Sequence, residues 1–473
     1  MSTINYTIRY TKGGNYTANN SLDAIVSGGP IDPFNQNNIQ VTTNGDGHYI
    51  ITDDSQQLLL VTNAPLAEQL PLVAAEDGIY VDMSEIETNV TLWSGDAGDV
   101  LIGGAGDDSL KGGGGSDILE GGLGENSIHG GGDNDTISYE HFDAPTQYQP
   151  GRLSGIILDM EDGRATDFDQ AILSDEFSGF TNVRGSAYDD VLKGSNDTND
   201  LFEGGDGADD LQGRDGIDTA SYVHSSLGVT ADLWFGTASG GDADGDTFAG
   251  IENLIGSKHA DTLTGHDGAN TLNGNGGGDT LSGMDGADRL VVLDTPVSVD
   301  GGAGKDVLIA MGGGAVSLTE SGFHGIEAVY VRNDTHLDMS AVSTGTKITS
   351  QSTTDHGVEI VGGSGSDRIQ AGKGGDTIEG GAGGDKIFGG LGDDTFVFRT
   401  GFGRDNVYNF TAGTDRFDVS ALVSRFDQIE ISQMKDGVNA LVTFEGSATG
   451  NKIILHDVVA SSLHADDFGF LVI

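Results

Sequence analysis

Apolar residues recur every nine positions in several stretches of this chain, with glycines and aspartates at fixed places between them. In residues 94–138 each nine begins with a glycine-rich half, has Asp or Asn at the sixth place, and has Leu or Ile at the eighth. The first two nines are SGDAGDVLI and GGAGDDSLK. A period of nine is neither a helix period nor the alternation of one strand. It predicts a repeat architecture, in which each unit buries its apolar side chain against its neighbours.

Each nine predicts one tight turn followed by one very short strand. Glycines at the first, second and fourth places permit positive φ and close backbone approach, so the first half forms the turn. The last three residues point one apolar side chain inward. Two nines complete one coil, so residues eighteen apart lie above one another at about 4.7–4.9 Å. This spacing stacks Asp99 on Asp117 and Asp117 on Asp135, with Asp108 in an opposite row.

A row of stacked aspartates predicts a cation-binding site. Carboxylates at this spacing repel one another, and a hard cation with many oxygen ligands relieves the repulsion. The units resemble the GGxGxDxUx calcium-binding nonapeptides of RTX proteins. The resemblance implies a parallel β-roll in which each Ca²⁺ lies between adjacent turns, held by sixth-place side chains and glycine-loop carbonyls. A flexible Gly/Asp-rich linker is the alternative for this composition, and the in-register apolar eighth places argue against it.

The sixth-place residues are the predicted metal ligands, and the implied cofactor is a set of structural Ca²⁺ ions. These residues are Asp99, Asp108, Asp117, Asn126, Asp135, Asp190, Asn199, Asp209, Asp218, Asp261, Asn270, Asp279, Asp288, Asp306, Asp367, Asp376, Asp385 and Asp394. Several glycines are replaced in residues 185–221, which predicts weaker sites there. In that stretch we place Asn199 at the sixth position of GSNDTNDLF and treat Glu203 as an extra residue after the unit.

The predicted fold class is all-β, a parallel β-roll or β-helix solenoid in several blocks with a small N-terminal β domain and a C-terminal β cap. The predicted order is an N-terminal β domain for association or anchoring (1–93), calcium block 1 (94–138), spacer coils (139–184), block 2 (185–221), spacer coils (222–255), block 3 (256–309), spacer coils (310–361), block 4 (362–398), and the cap with a secretion signal (399–473). In block 4 the predicted inward side chains are Ile369, Ile378, Ile387 and Phe396.

The last 75 residues lose the nine-residue period and resemble the C-terminal capping and secretion region of RTX proteins. A terminal repeat needs a cap to protect its core and strand edge, so a structural role and a secretion role are compatible. The resemblance implies export by type I secretion machinery to an extracellular or cell-surface location. The start, MSTINYTIRYTKGG, lacks the layout of a cleaved signal, and no apolar run reaches transmembrane length.

The net charge of the chain restricts the classes of molecule that it can bind. The chain has 74 acidic and 22 basic residues, a formal net charge of −52 and no cysteine. Residues 1–93 carry about −9 and residues 399–473 about −4, so about −39 lies on the repeat-bearing middle. Nucleic acid and anionic membrane surfaces are therefore poor partners, and cations are good ones. Without a counter-ion the middle should stay expanded, so calcium binding would supply the free energy of folding.

Catalytic motifs are missing from the sequence. There is no HExxH, no GxSxG, no phosphate loop and no cysteine nucleophile, so we predict that the chain is not an enzyme. Asp242, Asp244 and Asp246 suggest an EF-hand loop, but Thr247 and Asn253 stand where its glycine and bidentate glutamate belong. An acidic turn is the better interpretation. Trp93 and Trp234 lie in strand-like apolar runs, which predicts core packing rather than a sugar platform.

Three functions remain open. The predicted one is a secreted structural protein, such as a surface-layer, matrix or filament subunit, that self-associates on binding calcium. The second is a calcium-dependent adhesin or carbohydrate-binding module for cell-surface polysaccharide, similar to the repeat modules attached to alginate epimerases. The third is an enzyme with its site on the roll or in residues 1–93, which a pocket of converging carboxylates with a His or Tyr would indicate.

Overall fold

The computed structural model describes residues 7–10, 40–43, 48–52, 57–62, 79–84, 89–142, 154–168, 172–332, 334–448 and 450–470. Strands, turns and bends make up these residues, apart from short 3₁₀ helices at Gly241–Ala243, Glu320–Gly322, Phe426–Gln428, Ala460–Ser462 and Ala465–Asp467. The predicted all-β class is therefore confirmed. The chain divides into two compact units, residues 1–222 with 236–251 and residues 223–235 with 252–473.

The first unit contains two ladders of short parallel strands. One ladder runs through Ile79–Asp82, Val100–Ile102, Ile118–Glu120, Thr136–Ser138, Asn182–Arg184, Leu201–Glu203 and Thr219–Ser221. The other begins with Thr91–Trp93, Ser109–Gly113, Ser127–Gly131 and Ser174–Ser178 and resumes with Ser154–Asp159, Asp189–Lys193, Asp210–Gln212 and Thr247–Ala249. In block 1 paired residues are eighteen apart, as Leu101 and Leu119 are, whereas in block 2 the extra residue places Leu192 opposite Leu211, nineteen apart.

Antiparallel strands complete the first unit. Arg164–Asp167 joins the two parts of the second ladder by pairing with strands on both sides, and Thr237–Ser239 pairs with Thr247–Ala249. Near the N-terminus, Thr7–Tyr10 pairs with Ile79–Asp82. A separate antiparallel sheet contains Gln40–Thr43, His48–Thr52 and Gln57–Thr62. Most of the predicted domain at 1–93 lies outside the described residues.

The second unit repeats the same architecture with three parallel ladders. The longest contains Asn253–Ile255, Thr271–Asn273, Arg289–Val292, Val307–Ala310, Ala328–Val331, Lys347–Ser350, Arg368–Gln370, Lys386–Phe388, Arg404–Tyr408 and Lys452–Leu455. The second contains Thr230–Asp232, Thr262–Thr264, Thr280–Ser282, Ser298–Asp300 and Phe323–His324. The third contains Ala315–Thr319, His336–Ala341, Glu359–Val361, Thr377–Glu379, Thr395–Val397, Arg416–Asp418 and Phe468–Gly469. A pair of two-residue strands joins Asp285–Gly286 to Ala303–Gly304.

A column of apolar side chains forms the core between the ladders. The eighth-place residues of block 1, such as Leu101 and Leu110, are completely buried, and so are the four predicted inward residues of block 4. Full burial of one such side chain contributes about 1.5–3 kcal/mol. The core therefore grows by one apolar side chain per nine residues, which is why a single unit cannot fold alone.

The C-terminal region closes the second unit with a cluster of phenylalanines. Phe417 stacks on Phe410 with ring centroids 4.3 Å apart and also contacts Phe468 at 5.3 Å. Ile429–Gln433 and Ala440–Phe444 form an antiparallel hairpin that continues to Lys452–Leu455. These aromatic rings cover the end of the apolar column, which fits the predicted role as a cap.

The parallel stacking extends beyond the block boundaries drawn from the sequence. Ile79–Asp82 and Thr91–Trp93, inside the predicted N-terminal domain, pair in parallel with strands of block 1. At the other end, Arg404–Tyr408 and Arg416–Asp418 continue two ladders past residue 398. Parallel stacking therefore continues outside residues 94–398, in coils that lose the glycine pattern.

Candidate metal centre: rows of buried aspartates

Every predicted ligand except Asn199 is buried, and each lies directly before a strand or, for Asp190, near the start of one. Their exposure is at most 3 % of the residue surface. Charged side chains are rarely buried to this extent unless they are paired or coordinate a metal. Burial follows from the repeat, because the sixth place lies two residues before the inward apolar side chain and faces the same interior.

Backbone hydrogen bonds connect these residues into rows. The N–H of Asp99 donates to Oδ1 of Asp117 at 2.8 Å, and the N–H of Asp117 donates to Oδ1 of Asp135 at 2.9 Å. Asp108 donates in the same way to Asn126 at 2.8 Å. We call each chain of sixth-place residues joined in this way an aspartate row. The pattern recurs in the second unit, with Asp261 to Asp279, Asn270 to Asp288, Asp367 to Asp385 and Asp376 to Asp394.

The second oxygen of each side chain faces the glycine turn. In some units it accepts the N–H of the residue four positions earlier, as Oδ2 of Asp108 does from Gly104 at 2.6 Å and Oδ2 of Asp394 does from Gly390 at 2.8 Å. In other units this oxygen is buried and has no hydrogen-bond partner among the described residues. Those residues are Asp117, Asp135, Asp209, Asp288 and Asp306. A buried carboxylate oxygen without a donor needs a cation or a proton.

Burial and neighbouring carboxylates raise the pKa of row members. The pKa of Asp117 rises to about 7, mainly because of burial and then because of the charges of Asp99 and Asp135. The pKa of Asp209 rises to about 9 for the same reasons, with Asp246 and Asp190 as its charged neighbours. The rows therefore carry more negative charge than the protein groups around them stabilise. A divalent cation would remove this penalty.

Stacked main-chain carbonyls supply further oxygen atoms beside the rows. Gly113 has a φ of 113°, and a side chain there would collide with the carbonyl oxygen of Gly95 one coil away. Among the described residues, no three His, Asp or Glu side chains converge as a metal-binding group. A cation in a row would therefore combine carboxylate and carbonyl oxygens, the ligands that a hard ion such as Ca²⁺ prefers.

The structure places Asp200, rather than the predicted Asn199, in the aspartate row. Asp200 is 1 % exposed and its N–H donates to Oδ1 of Asp218 at 2.7 Å, whereas Asn199 is exposed. The unit 194–203 has ten residues, and the turn before the aspartate absorbs the extra one. Phe202 rather than Leu201 then points inward and is fully buried. We therefore replace Asn199 with Asp200 in the proposed ligand set.

Some row members lie outside the nine-residue pattern and were missed in the sequence. Oδ1 of Asp405 accepts the N–H of Asp385 at 2.9 Å, and Oδ1 of Asp415 accepts that of Asp394 at 3.0 Å. The signal was present in GFGRDNVY and AGTDRFDV, where a glycine precedes the aspartate by two and an apolar residue follows by two. Asp246, interpreted as part of an acidic turn, joins Asp209 at 2.8 Å.

Comparison with known families identifies these repeats. A family model described as the RTX calcium-binding nonapeptide repeat (4 copies) matches residues 93–128, 112–140, 177–202, 184–220, 246–281, 282–314 and 361–396. The chain is an RTX repeat protein. RTX nonapeptide repeats bind Ca²⁺ at multiple structural sites, so this chain is a calcium-binding β-roll protein and the predicted cofactor is confirmed.

Solved structures give further comparisons. The AlgE6R3 subunit of a mannuronan C5-epimerase from Azotobacter vinelandii is 32 % identical over 24 % of this chain and 74 % of its own, with a TM-score of 0.21. The AlgE6R2 subunit is 25 % identical over 27 % and 89 %, with a TM-score of 0.22. The extracellular lipase LipA from Serratia marcescens is 14 % identical over 85 % and 40 %, with a TM-score of 0.16. No curated protein matches the sequence. Helices in the described part of the chain lack the length and apolar content needed to cross a bilayer.

Proposed function

We propose that this RTX protein is a secreted structural protein that folds on binding calcium outside the cell and then assembles with other copies of itself. The observation that carries the proposal is the buried, unpartnered Oδ2 atoms of row members such as Asp117 and Asp288. They make the fold dependent on a cation at positions that serve the core rather than a pocket. The proposal assigns the ions a structural role and gives the chain no catalytic step.

Calcium concentration makes the outside of the cell the expected place of folding. Extracellular calcium modules bind with dissociation constants of roughly 10⁻⁴–10⁻³ M, and on the order of ten ions would bridge the stacked turns if the sites are of this class. The net charge of −52 opposes compaction until ions bind. A chain of this kind stays unfolded for type I export and folds after release.

Sedimentation velocity tests the assembly. The purified chain should sediment as an expanded monomer in chelator and as larger species in millimolar calcium at high protein concentration. Magnesium at equal ionic strength is the control for charge screening, and it should not produce assembly because Mg²⁺ sheds its water reluctantly. A compact monomer in millimolar calcium at all protein concentrations would contradict the structural role while leaving calcium-dependent folding intact.

An adhesin is the second candidate, and two exposed aromatic rings favour it. The expectation that Trp234 packs in the core is wrong, since Trp234 is 50 % exposed and the adjacent Phe235 is 75 % exposed. Exposed aromatic faces can stack on sugar rings. A glycan-binding screen in calcium with the wild type and with Trp234→Ala tests this role. Loss of a glycan signal in the variant would favour the adhesin, and no signal in the wild type would exclude it.

A further inference from the structure

The two spacer segments 139–184 and 222–255, which we call inserts, each begin with a tyrosine that follows a serine. Tyr139 follows the strand Thr136–Ser138, and Tyr222 follows the strand Thr219–Ser221. Both tyrosines are buried, with exposures of 1 % and 3 %. A buried phenol needs a hydrogen-bond partner, so the position of each hydroxyl shows what the tyrosine does.

Each tyrosine hydroxyl donates to an aspartate that ends a row. The hydroxyl of Tyr139 lies 2.8 Å from Oδ2 of Asp175, and that of Tyr222 lies 2.8 Å from Oδ2 of Asp246. Oδ1 of Asp246 accepts the N–H of Asp209 at 2.8 Å. Both oxygens of this terminal carboxylate therefore have protein donors, unlike the row members whose Oδ2 atoms have none.

The first row ends in the same way with one additional donor. Oδ1 of Asp175 accepts the N–H of Asn126 at 3.2 Å and its side-chain Nδ2 at 2.8 Å. Asn126 thus uses its amide nitrogen to stabilise Asp175, while its amide oxygen accepts the N–H of Asp108. The equivalent residue of the second row is Asp209, so an amide at this place is a feature of the first row alone.

The turns before Asp175 and Asp246 also differ from those of the repeats. Neither aspartate follows a GGxG turn, since the preceding residues are Ile172 to Ser174 and Asp242 to Gly245. The stacked glycine carbonyls that accompany row members such as Asp117 are therefore replaced by other backbone. An ion at these two positions would have fewer oxygen ligands than elsewhere.

We propose that Tyr139 and Tyr222 cap the ends of two aspartate rows, each supplying through its hydroxyl the positive partner that Ca²⁺ supplies to the other row members. The two inserts then dock onto the preceding coil without an ion of their own. This inference concerns where the calcium rows stop and is independent of the extracellular role proposed above.

Calcium stoichiometry tests the cap directly. Asp175→Asn and Asp246→Asn retain an oxygen that can accept the tyrosine hydroxyl, and Asp117→Asn is the matched control within a row. Equilibrium dialysis at saturating calcium should find the wild-type number of ions in the first two variants and at least one fewer in Asp117→Asn. Loss of an ion from Asp175→Asn or Asp246→Asn would show that the terminal aspartates are ligands and would overturn the proposal.

Removal of the hydroxyls gives an independent test. Tyr139→Phe and Tyr222→Phe leave a buried carboxylate oxygen without its donor, so each should lower the folding equilibrium constant about 10- to 100-fold at saturating calcium. Tyr408→Phe is the control, because the Tyr408 ring stacks on Phe388 at 4.5 Å rather than on a row. Urea unfolding measures the change. Midpoints for Tyr139→Phe and Tyr222→Phe equal to that of the control would refute the capping role.

Discussion

A sixth-place aspartate has two separate tasks, and its two oxygens divide them. Oδ1 of Asp288 accepts the N–H of Asn270 at 2.8 Å and so fixes the register between coils. Oδ2 of Asp288 is buried without a hydrogen-bond partner, and the pKa of this carboxyl is raised to about 6, mainly by burial. Stacking thus depends on one oxygen, and we propose that the other one binds the ion.

Asp288→Asn should separate the two tasks. The amide oxygen can still accept the row hydrogen bond, but the variant loses the charged second oxygen, so calcium affinity at this coil should fall about tenfold or more. Isothermal titration with calcium measures the change. Asp285→Asn is the control, because Asp285 lies three residues earlier and is exposed. Equal calcium binding by the two variants would exclude Asp288 as a ligand.

An ion pair away from the rows gives the chain a separate pH dependence. Nδ1 of His141 lies 2.8 Å from the buried carboxylate of Glu120, and this hydrogen bond raises the pKa of His141 to about 9. Glu140 and Asp82 add smaller effects of the same sign. Protonated His141 therefore stabilises the fold fully below the unfolded pKa of about 6.5, and this contribution disappears as the pH rises through about 9.

His141→Gln should abolish that part of the pH dependence. The wild type should lose stability relative to the variant between about pH 6.5 and about pH 9, by less than about 1 kcal/mol because the imidazole is 60 % exposed. Urea midpoints at about pH 6 and about pH 9.5 in saturating calcium measure the difference. An identical shift in both proteins would show that His141 does not contribute.

At the scale of one element, the glycine turn sets how closely the coils stack. A methyl group on Gly103 would overlap the carbonyl oxygen of Gly121 and the Oδ2 atom of Asp108. Gly103 is therefore required by the approach of the next coil and by the carboxylate, not only by turn geometry. Elsewhere Ser94 and Ala371 occupy the first place of a unit, so the requirement depends on the space at each coil.

Gly103→Ala should destabilise the first unit by about 1–3 kcal/mol or more, because its methyl enters an occupied space. Gly132→Ala in the same block is the matched control, since no atom of the described residues lies within 4 Å of its added methyl. That control should be neutral or slightly stabilising. Thermal unfolding in calcium measures both, and equal melting temperatures would contradict the close-approach argument.

At the scale of the whole molecule, electrostatic repulsion opposes folding, and the apolar core that favours folding is small. About −39 of the formal charge lies on the repeat-bearing middle, where each nine residues add only one or two inward apolar side chains. A core this thin cannot offset the repulsion of buried carboxylates by itself. We therefore expect ion binding and folding to be coupled.

Chelation of calcium should unfold the repeat-bearing middle. Circular dichroism should lose the β-sheet signal in chelator and regain it in millimolar calcium, and the radius of gyration should fall on calcium addition because the charges are neutralised. Sodium chloride at equal ionic strength should restore little of the signal, since screening does not replace coordination. A spectrum that is the same with and without calcium would contradict the coupling.

The sequence by itself determined the coil and its chemistry. A strict period of nine places the turn, the carboxylate and the inward apolar side chain within one short segment, so local geometry was enough to predict parallel stacking, the inward residues of block 4 and the eighteen-residue spacing of Asp99 and Asp117. A hard cation followed from the same residues, because oxygen ligands at that spacing suit one, and the resemblance to RTX nonapeptides implied that the cation is Ca²⁺.

The tertiary structure decided the features that depend on distant residues or on where an extra residue is absorbed. The unit 194–203 has one residue more than nine, and from sequence this extra residue could lie before or after the aspartate. Because Phe202 packs in the core, the extra residue lies before the aspartate, which places Asp200 in the row. Asp175 joins Asn126 across 49 positions and Asp246 joins Asp209 across 37, distances that no local period specifies. Exposure of Trp234 likewise depends on what packs against its segment. The local repeat determines which side chains point into the core, whereas the position of the inserts depends on the coils onto which they fold.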